Sequence, residues 1–459
     1  MSSRARSIGS IQLLEIRRLL SVATADVGLL QCSAASATAF PTAALVKDIR
    51  AGKESSSPHA MQSLGNKLYF AARDASHGDE LWQSNGTAAG TKLVKDIRSG
   101  STGSSPYSLT RIGDTMFFVA NDGVHGNELW KTNGTRSGTM LVKDIRSGGK
   151  SASPRQLTVV DSTLYFTADD GKHGRSLWKS NGTSSGTMLV KQIVADRLTC
   201  VGSKLFFVSN YDVWRRDSTG TSKVWSPMFK PSGDYSVDLD LLTATGTDLY
   251  FSGSYYGPEV RTDHQIWKTN GSTSGTKLVK ELDQSLYTHP RQAVAAGSTV
   301  FFVADAEGHD ELWKSNGTSS GTSRVGQLSF DSIENLSGLN GKGYFTSSVS
   351  AGQPKLWKTD GTPKGTTALA TLDYEVLSFR QTGGKLCFAT RLGGHEETGI
   401  WISDGTTAGT QSVRRVLQSS YGFASEFKAV GETIFFSGTD GDYYGTLHGY
   451  ELWKITASD

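Results

Sequence analysis

Short apolar runs separated by turn residues recur along almost the whole chain, with no helix-length pattern between them. One unit starts with SPYSLTRIGD, continues with the apolar run TMFFVAND, and then gives NELWKT and TMLVKDI. Runs of β-branched and aromatic residues bounded by Gly, Asn, Asp and Ser are typical of β-strands. The pattern therefore predicts an all-β fold with four strands in each unit.

Tryptophans align these units and give their number. Trp82, Trp130 and Trp178 are 48 residues apart, and the later units follow at intervals of 36 to 53 residues, with Trp214, Trp267, Trp313, Trp357, Trp401 and Trp453. Four strands in roughly 40 to 50 residues are typical of a β-propeller blade, so the sequence predicts nine four-stranded blades. Two rings of four and five blades are the alternative, but no Pro- or Ser-rich linker separates such halves.

The two ends of the repeated region hold incomplete units. The first core segment, LVKDI at 45–49, corresponds to a fourth strand, and the chain finishes with YELWKI at 450–455, a third strand. Together they predict a last blade that the N-terminal strand closes, which would hide two sheet edges. Apolar runs such as LYFTA at 164–168 alternate poorly, so both faces of each sheet are expected to be buried between blades.

The consensus of the units, ELWxx[DN]GTxxGTxLVKDI, resembles the repeat of the ELWxxDGT family, and the resemblance covers residues 45–455. It is specific in the first three units and weakest in the fourth, at 196–225, which lacks the NGT segment. The resemblance implies a propeller-like repeat array, found mostly in secreted or surface bacterial proteins. It brings no assigned reaction and no catalytic residues.

Composition narrows the classes of partner. Lys and Arg number 47 and Asp and Glu number 44, so the net charge gives no basic field that would attract nucleic acid. No downstream run approaches about 18 consecutive apolar residues, so membrane insertion is not predicted. Cys200 and Cys387 lie four units apart without metal-binding spacing, which predicts two buried free thiols.

The first 40 residues differ from the repeats. Four arginines precede a moderately apolar segment that ends in small residues, which resembles a secretory signal peptide. Residues 1–40 are therefore predicted to be a leader and residues 41–459 a single propeller domain. The expected location is secreted or at the cell surface; an organelle lumen reached by a transit peptide, and an unstructured tail, are the alternatives.

The Asn-Gly-Thr segment follows the third strand in most units and predicts a tight hairpin turn, because Asn-Gly favours positive φ. It also matches a glycosylation sequon, but Asp360 and Asp404 occupy the same position, so the turn explains the residue better than a glycan does. GTSSG at 182–186 and 317–321 matches a nucleophile elbow, yet it joins two strands, so no hydrolase site is predicted. We call the side of the ring that carries these turns the NGT face.

The opposite side, which we call the histidine face, is predicted to carry the second-to-third and fourth-to-first connections. All nine histidines and eleven of the fifteen tyrosines fall there. A motif DxxHGxELW recurs in two units, as Asp74, His77, Glu80 and as Asp122, His125, Glu128. This spacing predicts either a site for a divalent cation such as calcium or a turn clamp in which His donates to a carboxylate. No other cofactor is predicted.

Two elaborated loops on this face are the predicted ligand site, because paired tyrosines beside charged groups suit a sugar or a peptide. Their candidate residues are Tyr255, Tyr256, Arg261, His264, Asp440, Asp442, Tyr443, Tyr444 and His448. The leading hypothesis is an exported, non-enzymatic propeller that binds a glycan or protein ligand there. The alternatives are a lyase or glycoside hydrolase using carboxylates such as Asp440, Asp442 and Glu451, and a purely structural module.

Overall fold

The computed structural model describes residues 41–227, 236–256, 263–282, 290–306, 309–349, 352–372, 374–392, 397–413, 424–440 and 448–456. They belong to one compact unit, Phe40–Asp459. The predicted leader, residues 1–40, lies outside the described residues, so its nature stays a prediction. In the described part, no helix has the length and apolar character needed to cross a membrane.

The described residues form nine four-stranded antiparallel sheets, which confirms the predicted nine-bladed propeller. The chain begins with β1 (Thr42–Lys47), which belongs to blade 9. Blades 1 to 4 consist of β2 (His59–Leu64), β3 (Lys67–Asp74), β4 (Gly78–Ser84) and β5 (Lys92–Lys95); β6 (Tyr107–Ile112), β7 (Thr115–Asn121), β8 (Asn127–Thr132) and β9 (Met140–Lys143); β10 (Arg155–Val160), β11 (Thr163–Asp169), β12 (Arg175–Ser180) and β13 (Met188–Lys191); and β14 (Asp196–Val201), β15 (Lys204–Ser209), β16 (Asp212–Asp217) and β17 (Gly220–Trp225).

The remaining blades follow the same order. Blades 5 to 8 consist of β18 (Ser236–Thr245), β19 (Asp248–Tyr256), β20 (Asp263–Thr269) and β21 (Lys277–Glu281); β22 (Arg291–Ala296), β23 (Thr299–Ala306), β24 (His309–Ser315) and β25 (Ser323–Phe330); β26 (Ser332–Leu339), β27 (Lys342–Val349), β28 (Gly352–Thr359) and β29 (Thr367–Thr371); and β30 (Val376–Thr382), β31 (Lys385–Leu392), β32 (Glu397–Ser403) and β33 (Gln411–Val413). Blade 9 consists of β34 (Ser425–Val430), β35 (Thr433–Gly438), β36 (Glu451–Thr456) and β1.

The ninth blade closes the ring as predicted. β1 pairs with β36 in antiparallel register, with Thr42 opposite Thr456 and Leu45 opposite Trp453. The sheet order is β1-β36-β35-β34, so the N-terminal strand covers the edge that the C-terminal strand would otherwise expose. The first strands of blades 4 and 5 also contact each other, so the blades form one ring and not two.

The cores lie between blades, because the second strand of each sheet is apolar on both faces. One cluster combines Phe435 and Leu452 of blade 9 with Phe70 and Trp82 of blade 1. Phe70 and Phe435 are buried to 1% exposure or less, and each such aromatic contributes about 2 to 3 kcal/mol by burial. The blade interface is therefore the main source of stability in this fold.

The NGT segments form the predicted turns. Asn85 Oδ1 accepts hydrogen bonds from Thr87 N at 3.1 Å and Thr87 Oγ1 at 2.7 Å. In blade 7, Asp360 Oδ1 accepts the same two bonds from Thr362, at 2.9 and 2.7 Å. A side-chain oxygen is what the turn requires, so Asn and Asp serve equally well.

The first strands are innermost and face the central channel. In six of the described first strands the second residue has positive φ: Ala60, Ser108, Gln156, Arg197, Gln292 and Glu426. In β26 the fourth residue, Asn335, has positive φ. At each of these positions the strand register shifts, which marks a β-bulge. Each first strand has a neighbouring strand of its own sheet on one side only, and Cys200 in β14 is exposed, so the prediction that it is buried is wrong. Cys387 in β31 is buried, as predicted.

Candidate functional site

The glutamates of the repeated motif hold the connections that lead from one blade to the next. We call these connections straps; they span residues 48–58, 96–106 and 144–154. Glu80, fully buried at the start of the third strand of blade 1, accepts hydrogen bonds from Arg98 N at 2.9 Å and Ser104 Oγ at 2.6 Å. Its carboxylate therefore ties the strap to the body of its own blade.

The same arrangement recurs in two more blades. Glu128 accepts hydrogen bonds from Ile145 N at 3.0 Å and Ala152 N at 2.9 Å. Glu451 accepts from Ile49 N at 2.9 Å and from Ser56 Oγ at 2.6 Å. Burial raises the pKa of Glu80, Glu128 and Glu451 to about 7, against the opposing effect of these hydrogen bonds.

An aspartate and a histidine pair in the second-to-third connection of four blades. Asp74 Oδ1 accepts a hydrogen bond from His77 N at 2.6 Å, and Asp74 Oδ2 lies 2.8 Å from His77 Nδ1. The Nδ1 to Oδ2 distance is 2.7 Å in Asp122–His125 and Asp170–His173 and 2.6 Å in Asp440–His448. The hydrogen bond that His77 donates to Asp74 raises the pKa of His77. These pairs are the turn clamps that the motif predicts as one of its two interpretations.

In each of the two predicted cation sites, the glutamate lies apart from the aspartate and the histidine. The structure brings Asp74 to His77 and Asp122 to His125, but Glu80 and Glu128 point into the straps. No group of three or more His, Cys, Asp or Glu side chains among the described residues could hold a metal ion. What the described residues supply is a clamp.

Blade 9 holds the longest second-to-third connection, residues 439–450, and fixes both of its ends. Asp440 clamps His448 across eight residues, and His448 Nε2 lies 3.8 Å from Asp48 Oδ2 in the adjacent strap. Tyr450 N donates to Ser55 Oγ at 3.0 Å, and Tyr450 O accepts from Ser57 N at 2.9 Å. The predicted ligand residues Asp442, Tyr443 and Tyr444 lie outside the described residues.

The corresponding residues of blade 5 are distributed differently. His264 in β20 is 1% exposed and its Nδ1 lies 2.8 Å from Ser254 Oγ, so it lies in the interior of the blade. Tyr255 and Tyr256 end β19, paired with Val237 and Ser236, but their side chains lie outside the described part. Arg261 also lies outside the described residues.

Comparison with known proteins shows no family. No family model matches this sequence, and no curated protein matches it. Among solved structures, oligogalacturonate lyase in complex with manganese is 12% identical, with a TM-score of 0.41, over 65% of this chain and 86% of that chain. Prolyl oligopeptidase B from Galerina marginata, bound to a 35mer substrate, is 11% identical with a TM-score of 0.41, over 78% of this chain and 56% of that chain.

A structure of prolyl endopeptidases gives similar values, with 11% identity and a TM-score of 0.41 over 76% of this chain. This chain spans about half the length of the peptidases that it matches. The nine four-stranded sheets and the clamped connections of the described residues define the class of protein, which is a nine-bladed β-propeller with a clamped histidine face.

Proposed function

We propose that this chain is an exported, non-enzymatic propeller of the ELWxxDGT repeat type that binds a glycan or protein ligand on its histidine face. The observation that supports the proposal is that the repeated carboxylate and imidazole groups of the described residues form hydrogen bonds within their own connections. Glu80, Glu128 and Glu451 each hold a strap of their own blade, and the Asp–His pairs each hold a turn. A catalytic constellation would instead converge from several blades on one point.

The clamped loop base supports binding in blade 9. The described residues on either side of 441–447 are held by the Asp440–His448 pair, by Thr439 Oγ1 donating to His448 O at 2.8 Å, and by the bond from Tyr450 N to Ser55 Oγ. A base fixed in this way lowers the ordering cost that a loop incurs on binding. The paired tyrosines at 443 and 444 then supply stacking surfaces and hydroxyl groups for a sugar or a peptide.

A glycan array and a pull-down assay test the proposal with wild type and the double variant Tyr443→Ala/Tyr444→Ala. We expect the variant to lose at least about tenfold in affinity, since two stacking side chains are removed. Tyr374→Ala is the matched control, because Tyr374 is a tyrosine that is 47% exposed, in the connection between blades 7 and 8. It should bind as wild type does.

Two results would overturn the proposal. Equal binding by wild type and the double variant would remove the site, and shortened oligosaccharides in the mass spectrum after incubation would establish an enzyme instead. The export part of the proposal is tested separately by the mass of the mature N-terminus, which should show cleavage near residue 40.

A further inference from the structure

The NGT face carries a row of lysine side chains that reach from one blade to the turn of the next. Lys454 Nζ donates to Gly86 O at 2.9 Å, and Lys47 Nζ donates to Thr91 O at 2.9 Å in the same turn. Lys95 Nζ donates to Thr139 O at 2.8 Å, and Lys143 Nζ donates to Thr187 O at 2.9 Å. Blades 9, 1 and 2 thus point ammonium groups at three consecutive turns.

None of these ammonium groups forms an ion pair with a carboxylate among the described residues. Within the described residues, the lysine–carboxylate pairs are Lys223–Asp212 and Lys268–Asp248, and neither belongs to blades 9, 1 or 2. An ammonium group has three donors, so a single bond to a turn carbonyl leaves donors for an external anion. Lys95 is also held 5.8 Å from the centre of the Trp130 ring, which fixes its position.

A groove between blades 1 and 2 contains Lys95 of this row together with three further basic side chains. Its volume is about 670 Å³, and its lining includes Lys67, Lys92, Lys95 and Arg136 together with Thr135. The lining also includes one carboxylate, Asp96, and His77 from the second-to-third connection of blade 1. Lys92 and Arg136 are exposed. The equivalent groove between blades 5 and 6 measures about 600 Å³, but there Asp248 lies 3.8 Å from Lys268 Nζ and reduces the positive charge.

The net charge does not reveal this surface, because it sums charges that lie far apart on the molecule. The motif carboxylates lie on the histidine face, in the straps and the second-to-third connections, whereas these lysines and Arg136 lie by the NGT turns. A local basic surface is what attracts a polyanion, whatever the net charge of the chain.

We propose that the groove between blades 1 and 2, with the adjoining lysines of blades 9 and 2, binds an anionic polysaccharide. The basic side chains lie beside the NGT turn of blade 2, whose Thr135 hydroxyl can form a hydrogen bond with a sugar. A linear polymer can enter a groove, whereas a flat lipid surface cannot. The NGT turns contain no aromatic residue, so they offer no platform for stacking unpaired bases. The groove reaches His77 of the histidine face but contains none of the residues proposed above as the ligand site of blade 9, so it does not depend on that site.

The test measures binding to dextran sulfate, with unmodified dextran as the uncharged probe. The variant Lys67→Gln/Lys92→Gln/Arg136→Gln removes three charges from the groove, and none of the three side chains makes a hydrogen bond or an ion pair to another described residue. We expect wild type to bind dextran sulfate and not dextran, and the variant to bind about tenfold more weakly, with a smaller dependence on salt. A thermal unfolding curve checks that the variant remains folded.

The matched control is Lys53→Gln/Lys150→Gln/Lys172→Gln, which removes three exposed charges from the histidine face. It should bind dextran sulfate as wild type does. Equal weakening by both triple variants would overturn the proposal, because attraction would then follow total charge. Stronger binding to duplex DNA, or to vesicles of equal parts phosphatidylserine and phosphatidylcholine, lost in the groove variant, would also overturn it by assigning the groove to another class of partner.

Discussion

The tryptophan that marks each blade has a different environment in the two halves of the ring. In blade 7, Trp357 Nε1 donates to Ser347 Oγ at 2.8 Å, and in blade 8, Trp401 Nε1 donates to Thr390 Oγ1 at 3.3 Å. In blade 1, Trp82 Nε1 is buried with no hydrogen-bond partner among the described residues. An unmade bond of this kind costs about 1 to 3 kcal/mol.

The residue in blade 1 that corresponds to Ser347 is Ala72, since each lies opposite the residue two before the tryptophan. We expect Ala72→Ser to raise the free energy of unfolding by about 1 kcal/mol, because the new hydroxyl gives Trp82 Nε1 an acceptor. Urea denaturation measures the change. Ala71→Ser places a hydroxyl on the other face of the same strand, where we expect it to destabilise; a gain from both substitutions would contradict this account.

At the scale of the elements, three straps begin with Asp-Ile-Arg and end with Ser-Pro, and the blade of each has a glutamate two residues before its tryptophan: Glu80, Glu128 and Glu451. Blade 3, followed by QIVADR, has Ser176 instead. Blade 6 has Glu311 at this position without such a strap, and there the carboxylate pairs with Arg324 at 2.6 Å. The coincidence of glutamate and strap in three blades was available from the sequence and favours a role for these glutamates in holding the straps. Spacing alone suggested a metal site, because it does not tell which way a side chain points.

The buried glutamates predict a dependence of stability on pH. Their folded pKa, about 7, exceeds the usual value of 4.5, so the folded state binds more protons than the unfolded state between these values. Stability should therefore fall as pH rises from about 4.5 to 7, by about 1 kcal/mol or more per glutamate. Urea denaturation at pH values across this interval measures the fall.

The variant Glu80→Gln/Glu128→Gln/Glu451→Gln should lose most of this slope, since glutamine does not titrate. His77, whose pKa the hydrogen bond to Asp74 raises above 6.5, adds a loss of stability only at higher pH, so the interval below about 6.5 excludes this histidine. Burial also raises the pKa of Asp79, which the variant retains, so a small part of the slope should remain. An unchanged slope in the variant would show that other groups cause the dependence.

At the scale of the whole molecule, the sequence predicted the ring because its repeat spacing, its turns and its incomplete ends are local features. It did not predict the burial of His264, which depends on how far blade 5 extends, or the exposure of Cys200, which depends on the innermost position of β14. The basic groove was missed for the same reason. Lys67, Lys92 and Arg136 are distant in sequence and meet only when two blades pack side by side.

Closure by β1 makes the ends of the chain the most consequential part of the ring. A chain that starts at residue 48 lacks β1, which exposes the edge of β36 and removes Lys47 from the turn of blade 1. We expect its melting temperature to fall by several degrees and its tendency to aggregate to rise, relative to a chain that starts at residue 41, because an unpaired edge strand recruits other strands. Adding a synthetic peptide of residues 41–47 should restore part of the loss, since that peptide supplies the missing strand and Lys47. Equal melting temperatures for the two chains would show that the eight blades close without this strand.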